Sequence, residues 1–280
     1  MVEGRGHLHY AGHGPGAPVL PRFRKRQRTA DLIDIARFLA IDGAFGVLVA
    51  GIDLRAVPGQ TIGLKARTLM FRTPDGISLY GAVFGSGHAG AVLANDVPHQ
   101  ICEEVPAAAW FAQRGLRTIV FDYRGHGESE IGSDPGRLDL DVAGAAAELR
   151  RLGVARVLLV GSYAGVAATV VASTKISPAV EGVIGFSPAP SRGQYVNGPF
   201  DPIGALQAAP RMRPPALYVT VRGDQYVPVA EVERLYRATG SREKRLVVVG
   251  YGPASWDLLD FSPFMRRVDR LVEGFIRAHG

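Results

Sequence analysis

Residues 157–165 read VLLVGSYAG, an apolar run that stops at a glycine and leads directly into a helical pattern. The glycines Gly161 and Gly165 bracket Ser162, Tyr163 and Ala164. The small and apolar residues that continue to Ser173 have the pattern of a buried helix. A short apolar run that turns sharply into a helix is typical of a parallel strand followed by its crossover connection. The stretch therefore predicts one βα unit of a buried sheet.

The same alternation of strand and helix patterns covers the chain on both sides of this stretch. Strands are predicted at 68–72, 77–84, 91–94, 117–122, 157–161, 182–187, 216–221 and 246–249. Helices are predicted at 103–114, 138–152, 164–173, 229–238 and 263–279. The turn signal Thr73-Pro74-Asp75-Gly76 joins the first two strands as an antiparallel hairpin. We therefore expect an α/β fold with a mostly parallel eight-stranded sheet, an N-terminal antiparallel hairpin and helices on both faces.

Four sequence motifs lie at the ends of predicted strands or in the loops that follow them. They are FDYRGHGES at 121–129, VLLVGSYAG at 157–165, RGDQYVP at 222–228 and GPASWDLLD at 252–260. In this order and spacing the chain resembles the α/β-hydrolase family over about residues 66–279. The resemblance implies the α/β-hydrolase fold. It also implies a site in which a nucleophile elbow, an acid loop and a histidine loop meet.

Two positions that the resemblance assigns to catalysis hold other residues. The nucleophile position is Tyr163, with Ser162 one residue too early, and the histidine position is Ala254, followed by Ser255. The one histidine after Tyr163 is His279, which we expect at the end of the last helix, away from the site. A serine without a general base is a poor nucleophile. We therefore expect a degenerate triad, with Ser162 and Ser255 as turn residues whose hydroxyls bond the backbone.

The oxyanion loop of the resemblance is also changed. AVLANDVPHQ at 91–100 follows the third predicted strand and places Asn95 and Asp96 in that loop. A carboxylate there opposes the negative charge that develops during acyl transfer. His99 is the imidazole nearest the expected pocket. Asp224 matches the position of the family's acid.

These residues favour a site that no longer performs acyl transfer. We expect a repurposed non-hydrolytic catalyst, of the lyase, isomerase or cyclase type, that acts on a small and partly apolar metabolite. Tyr163 is the predicted acid and Asp224 or Asp96 the predicted base, without a covalent intermediate. The alternative is a non-catalytic pseudohydrolase that binds a small ligand or a partner protein, with Tyr163 filling the pocket. A serine esterase is the least expected function. The predicted binding residues are Asn95, His99, Ser162, Tyr226, Ala254 and Ser255.

Charge and cysteine content exclude several other classes of function. The net charge is +6, but residues 1–30 contribute +5, and the remaining 250 residues hold 26 basic and 25 acidic groups. We therefore expect no nucleic-acid partner, because such proteins carry basic surface on the fold itself. The single cysteine, Cys102, excludes an internal disulfide and a cysteine-based zinc site. Neither a metal nor a cofactor is predicted. The sequence leaves the oligomeric state open.

The N-terminal quarter of the chain is predicted to lie apart from the core. We expect a disordered basic tail at 1–30, a helix or linker that packs on the domain at 31–60, and the α/β domain at 61–280. The basic run Arg22–Arg28 is expected to be solvated, with weak contact to an anionic surface as the alternative. The apolar run Phe38–Ile52 has only 15 residues and contains Asp42, so it is too short to span a membrane. A cytoplasmic location is expected, with membrane association through residues 22–54 as the alternative.

Overall fold

The computed structural model of the chain describes residues 66–97, 101–190, 204–260 and 262–280. The predictions for residues 1–30 and 31–60, the basic run Arg22–Arg28 and His99 lie outside these described residues. The strands are β1 Ala66–Arg72, β2 Ser78–Phe84, β3 Ala89–Ala94, β4 Arg117–Phe121, β5 Arg156–Ser162, β6 Gly182–Phe186, β7 Ala216–Arg222 and β8 Lys244–Tyr251. The helices are α1 Val105–Gln113, α2 Leu138–Arg151, α3 Ala164–Ser173, α4 Ala205–Ala208, α5 Val229–Ala238, α6 Asp257–Asp260 and α7 Met265–His279.

All eight strands form one sheet, in the order β1-β2-β4-β3-β5-β6-β7-β8. β1 pairs antiparallel with β2, and β2 pairs antiparallel with β4. From β4 to β8 every neighbouring pair is parallel. This confirms the predicted fold class. The hairpin closes between Arg72 and Ser78 through the predicted turn, in which Gly76 has a φ of 87°.

The predicted helix at 103–114 is wrong at its start. Residues Ile101–Glu104 form a turn of 3₁₀ helix, and the α-helix begins at Val105 with a proline in its first turn. Proline fits there because its missing N–H group has no partner in the first turn of a helix. The 3₁₀ turn is fixed to the sheet by the Ile101 amide, which donates a hydrogen bond to Asp122 Oδ1 at 2.8 Å.

The core lies on both faces of the sheet. Six of the seven residues of β5 are buried, and every residue of α3 is buried. One face packs against α2 and α3, and the other against α1 and α7. A strand with both faces covered has a continuous apolar run, which is the reason that residues 157–160 show no alternation. None of the helices in the described parts of the chain is long and apolar enough to cross a membrane.

A buried ion network fixes the loop after β4. The Arg124 side chain is 1% exposed, and its guanidinium donates to Asp141 Oδ1 from Nε at 2.8 Å and to Asp75 Oδ2 from Nη1 at 2.9 Å. The Arg124 amide donates to Asp141 Oδ2 at 3.0 Å. Arg124 thereby joins the β1–β2 turn, the loop after β4 and helix α2. This network holds the loop after β4, at the end of the parallel strands where open α/β sheets bind ligands.

Candidate functional site

Tyr163 lies at the tip of the sharp turn between β5 and α3. Its backbone has φ 47° and ψ −114°, a conformation that costs energy for a residue with a side chain. The turn requires glycine on both sides. A Cβ at Gly161 would meet the Val166 amide nitrogen at 2.6 Å, and one at Gly165 would overlap the carbonyl oxygen of Ala94. The sequence therefore retains the backbone of a nucleophile elbow, with a tyrosine at its tip.

The backbone of Tyr163 is clamped by the end of β6. Its amide donates to the Phe186 carbonyl at 3.1 Å, and its carbonyl accepts from the Ala189 amide at 3.2 Å. The same carbonyl accepts from Val166 at 3.1 Å, within the first turn of α3. These three bonds hold the strained residue in place. Strain of this kind persists only where surrounding contacts fix the backbone.

The phenol of Tyr163 is partly buried between two acidic loops. Burial raises its pKa well above the usual value, and the charges of Asp224 and Asp96 raise the pKa further, while a hydrogen bond with the Ser187 side chain lowers it. The ring packs edge-on against Tyr226, with centroids 5.9 Å apart and planes at 87°. It also contacts a small apolar cluster that contains Ala189 and Val227. The hydroxyl of Tyr163 therefore remains protonated at neutral pH.

The Asp96 side chain contacts the backbone amide of Ala164, the residue that follows Tyr163. Its Oδ1 accepts a hydrogen bond from the Ala164 amide at 3.3 Å, and its side chain is buried. Ala164 is the first residue of α3, where the helix dipole favours a negative charge. In the fold that the sequence resembles, this amide is the one that stabilises an oxyanion. In this chain that amide is engaged by the carboxylate of Asp96.

Asn95 joins this loop to the loop after β8. Its Oδ1 accepts from the Asp96 amide at 2.7 Å and from Trp256 Nε1 at 3.4 Å. Its Nδ2 is buried and has no hydrogen-bond partner among the described residues. The predicted binding residue Asn95 therefore orients Asp96 and leaves one donor unused.

Asp224 closes the loop after β7 on itself. Its Oδ1 accepts from the amides of Tyr226 at 2.9 Å and Val227 at 3.1 Å. Its Oδ2 is shielded from solvent and has no hydrogen-bond partner among the described residues. The predicted binding residue Tyr226 is half exposed at the end of this loop. Asp224 Oδ1 thus holds the loop after β7, and the charge of Asp224 acts on the phenol of Tyr163.

The interpretation of Ser162 and Ser255 as residues whose hydroxyls bond the backbone is wrong. Their Oγ atoms contact each other, and the Ser255 amide donates to Ser187 Oγ at 3.2 Å. The loop after β8 crosses the ends of β7 and β6, and this path brings Ser255 to the end of β5. Ser187 and Ser255 have positive φ angles of 46° and 61°. Together with Tyr163, three residues with unfavourable backbone conformations therefore lie in neighbouring loops. Ala254, the residue at the expected histidine position, is half buried in this loop.

The described histidines lie away from the elbow or in structural contacts. His279 ends α7, and its Nε2 lies 3.1 Å from Glu243 Oε1. Glu243 precedes β8, while the site follows it, so the eight residues of β8 separate them by about 25 Å. The prediction that His279 does not reach the site is confirmed. His126 Nδ1 lies 3.1 Å from the Arg124 carbonyl.

Two residues of this region were missed by the sequence analysis. Glu104 is 1% exposed, and neither of its carboxyl oxygens has a hydrogen-bond partner in the described part of the chain. Burial raises its pKa well above the usual value, and Glu103, Asp122 and Asp96 raise the pKa further. The hydroxyl of Tyr123 is likewise buried and unpartnered, and burial raises its pKa, as does Asp141. An acid at the start of a helix normally lies at the surface, so nothing in the sequence indicated the burial of Glu104.

The cysteine and the acids of the site do not form a metal centre. Burial raises the pKa of the Cys102 thiol to about 11, with Asp122 and Glu104 adding to the effect, so this thiol is unreactive. Over residues 66–97, 101–190, 204–260 and 262–280, no group of histidine, cysteine, aspartate and glutamate side chains could hold a metal ion.

Solved structures with similar architecture include several enzymes. The esterase Pf2001 of Pyrococcus furiosus has a TM-score of 0.64 and 15% identity, over 77% of this chain and 93% of that one. A monoacylglycerol lipase of Paleococcus ferrophilus has a TM-score of 0.59 and 16% identity, over 72% and 99%. An enol-lactonase of Burkholderia xenovorans has a TM-score of 0.57 and 17% identity, over 75% and 100%.

At such low identity these likenesses establish the fold alone. No protein-family model matches the sequence, and no curated protein sequence matches it. The chemistry therefore has to be argued from the side chains at the carboxyl ends of the strands.

Proposed function

Because this chain has the α/β-hydrolase fold, with a tyrosine at the tip of the elbow, we propose that it is a non-hydrolytic acid–base catalyst. The proposed reaction is of the lyase, isomerase or cyclase type and forms no covalent intermediate. One observation carries the proposal: the phenol of Tyr163 stands at the tip of the elbow, where Asp96 accepts from the very next amide, that of Ala164, at 3.3 Å. A proton donor and a carboxylate placed at one site are the groups that acid–base catalysis needs.

Three features argue against acyl transfer. The Ser162 hydroxyl is buried and bonded to Ser255, away from the elbow tip. Ala254 offers no imidazole to activate a hydroxyl. The Ala164 amide is engaged by Asp96 at 3.3 Å, so it is not available to an oxyanion. Acyl transfer needs a nucleophile, a base and oxyanion donors together, so these three features support a reaction of another kind.

The roles follow from the charge states. Tyr163 is the proposed general acid, because it is the O–H donor at the tip of the elbow. Asp96 is the proposed base, because it is buried at the first turn of α3 beside the elbow. Asp224 contributes its charge and holds the loop of Tyr226 through two backbone bonds. The proposed substrate is small and partly apolar, since the phenol is set among Ala189, Val227 and the ring of Tyr226.

The strained backbone of Tyr163 supports a functional role for its side chain. A residue at φ 47° costs the fold on the order of 1–3 kcal/mol. Glycine could adopt this conformation without a penalty, and a tyrosine that only filled space gains nothing from it. The hydrogen bonds with Phe186 and Ala189 hold the Tyr163 backbone, and thus the origin of its side chain, in place.

The test compares the native protein with two near-isosteric variants. Each protein is incubated with a small-metabolite extract, and the mixture is analysed by mass spectrometry. The proposal expects at least one compound that the native protein consumes and that Tyr163→Phe and Asp96→Asn consume at least a hundredfold more slowly. Compounds consumed equally by all three proteins contradict the assigned roles.

A second candidate function is a non-catalytic protein that binds a small ligand or a partner protein. The observation that favours it is that Asp96 and Asp224 each give an oxygen to backbone amides of the chain itself. The same experiment separates the two functions. Binding alone leaves every compound of the extract chemically unchanged, with some compounds retained on the immobilised native protein.

A further inference from the structure

Only three non-glycine residues in the described part of the chain have positive φ angles, and each of them carries a hydroxyl group. They are Tyr163, Ser187 and Ser255, with φ angles of 47°, 46° and 61°. Glycine adopts such angles at little cost, so a serine at this place needs a reason in its side chain. Strained residues of this kind cluster at functional sites. The pattern indicates that the two serine side chains serve the elbow.

Ser187 lies beside Tyr163, directly after the end of β6. The residue before it, Phe186, accepts a hydrogen bond from the Tyr163 amide at 3.1 Å, and Ala189 donates to the Tyr163 carbonyl at 3.2 Å. The Ser187 amide donates to the Val219 carbonyl of β7 at 2.8 Å, and Ser187 is fully buried. Ser187 is therefore fixed to the sheet between the two residues that hold the backbone of Tyr163.

The loop after β8 orients the hydroxyl of Ser187. Its Oγ accepts a hydrogen bond from the Ser255 amide at 3.2 Å, and an amide nitrogen can only donate. The Ser187 side chain also forms a hydrogen bond with the phenol of Tyr163. Because the amide fills an acceptor position of the Ser187 oxygen, the one hydrogen of this hydroxyl can be given to the phenol oxygen. Ser255 thus sets the direction of the bond between Ser187 and Tyr163.

We propose that Ser187 is a positioning residue for the general acid Tyr163. Its hydroxyl donates to the phenol oxygen, so that the phenol directs its own proton towards the substrate. The inference rests on the proposed function and adds the group that orients its acid. Ser187 is fully buried, so it acts through Tyr163 and does not touch the substrate itself. Ser255 has the next place in the same arrangement, because its amide fixes the Ser187 oxygen.

The bond from Ser187 becomes stronger as Tyr163 loses its proton. When that proton passes to a substrate oxygen, the phenol becomes a phenolate, and the bond that it accepts is then charge-assisted. Burial and the charges of Asp224 and Asp96 raise the pKa of the phenol, whereas the bond with Ser187 lowers it. Ser187 keeps its own proton throughout. It therefore stabilises the phenolate with a donor that is in place before the charge develops.

The test follows Tyr163 by NMR of the full chain, labelled with ¹³C at the tyrosine Cζ, the carbon that bears the hydroxyl. The resonance of Tyr163 is identified by its loss in Tyr163→Phe. Ser187→Ala should shift this resonance, because the phenol oxygen loses a hydrogen-bond donor. Ser187→Gly should give a similar shift and unfold at a higher urea concentration than Ser187→Ala, because glycine relieves the strain at φ 46°. Ser187→Gly provides the measurement if Ser187→Ala does not fold.

The matched control is Thr239→Val, at a second pair of a buried tyrosine and a buried hydroxyl. The Tyr218 hydroxyl lies 3.0 Å from Thr239 Oγ1. Thr239→Val should shift the Tyr218 resonance and leave that of Tyr163 in place, and Ser187→Ala should do the reverse. Circular dichroism shows whether each variant is folded. The proposal is overturned if the folded Ser187 variants leave the Tyr163 resonance unmoved or move both resonances equally.

Turnover separates this role from the proposed function. On a compound whose consumption depends on Tyr163, Ser187→Ala should lower kcat by about tenfold and leave KM nearly unchanged, because the lost bond is strongest when the phenolate forms. If the Tyr163 resonance shifts but no compound is consumed, Ser187 still positions the phenol and the proposed function fails. If consumption depends on Tyr163 while Ser187→Ala keeps the native kcat, the proposed function stands and the positioning role fails.

Discussion

The Asp96 carboxylate accepts a hydrogen bond from the Ala164 amide, with 3.3 Å between Oδ1 and the nitrogen. The donor follows the elbow tip directly and begins α3. An internal carboxylate at this position satisfies the amide and the positive end of the helix dipole at once. Under the proposed function, it also keeps a second anion away from the Ala164 amide, where an acyl-transfer enzyme of this fold develops its negative charge.

This contact predicts how ester hydrolysis could be restored. The double variant Tyr163→Ser/Ala254→His supplies a nucleophile and a base, and we expect only slow hydrolysis of a short-chain 4-nitrophenyl ester. Adding Asp96→Ala frees the Ala164 amide and should raise the rate by about tenfold or more, because one oxyanion donor contributes about 10²–10³-fold. Adding Asp96→Asn instead keeps an acceptor on the amide and should give a smaller gain. Equal rates for the double and triple variants would contradict the claim that Asp96 blocks the Ala164 amide.

Glu104 predicts an unusual dependence of stability on pH. Its folded pKa is raised, first by burial, above the value of about 4.3 for an unfolded chain. Its contribution to stability is therefore complete below about pH 4.3 and is lost as pH rises through the folded pKa, at about 1.4 kcal/mol per pH unit. Glu104→Gln carries no such loss. Urea unfolding should show the variant gaining on the native protein as pH rises from about 4, whereas a constant difference would falsify the buried neutral acid.

Asp224 predicts a local effect on the loop after β7. Asp224→Ala removes the acceptor for the Tyr226 and Val227 amides, so these amides should exchange hydrogen faster by about tenfold. Asp224→Asn keeps an oxygen at the same place and should change exchange much less. Hydrogen exchange with mass spectrometry of the peptide that contains residues 224–228 provides the measurement. Unchanged exchange in Asp224→Ala means that the loop is held by other contacts.

The buried guanidinium of Arg124 predicts the largest loss of stability. Arg124→Met leaves Asp141, which is fully buried, without its partner, so the free energy of unfolding should fall by about 3–5 kcal/mol. Asp75→Asn removes a partner whose side chain is 35% exposed, and its cost should be about 1 kcal/mol or less. Urea unfolding at neutral pH measures both variants. Losses of equal size for the two variants are inconsistent with the burial of this network.

Much of the fold could be predicted from the sequence because its signals are local. The run of apolar residues at 157–160, the glycines around Tyr163 and the turn at 73–76 each depend on residues close together in the chain. The position of Tyr163 at the elbow follows from the same local pattern, since only a tight turn needs Gly161 and Gly165. The predicted helix at 164–173 has the observed bounds for this reason.

The contacts that define the chemistry of the site are long-range, and the sequence could not predict them. Asp96 and Ala164 are 68 positions apart, and Ser162 and Ser255 are 93 apart. The sequence places a carboxylate in the loop near the elbow, but it does not give the distance between Asp96 Oδ1 and the Ala164 amide. That distance decides whether the carboxylate bonds the amide or only lies near it. The burial of Glu104 depends likewise on how the 3₁₀ turn packs against Asp122.

The central claim is that the site at Tyr163 does not perform acyl transfer. The most direct test is reaction with a fluorophosphonate probe, followed by mass spectrometry of the intact protein. The probe reacts with serine hydroxyls that a base activates, and Ser162 has a serine, Ser255, as its partner. We expect the native protein to show no added mass, while the Tyr163→Ser/Ala254→His variant acquires one probe adduct. An adduct on Ser162 of the native protein would contradict the non-hydrolytic site.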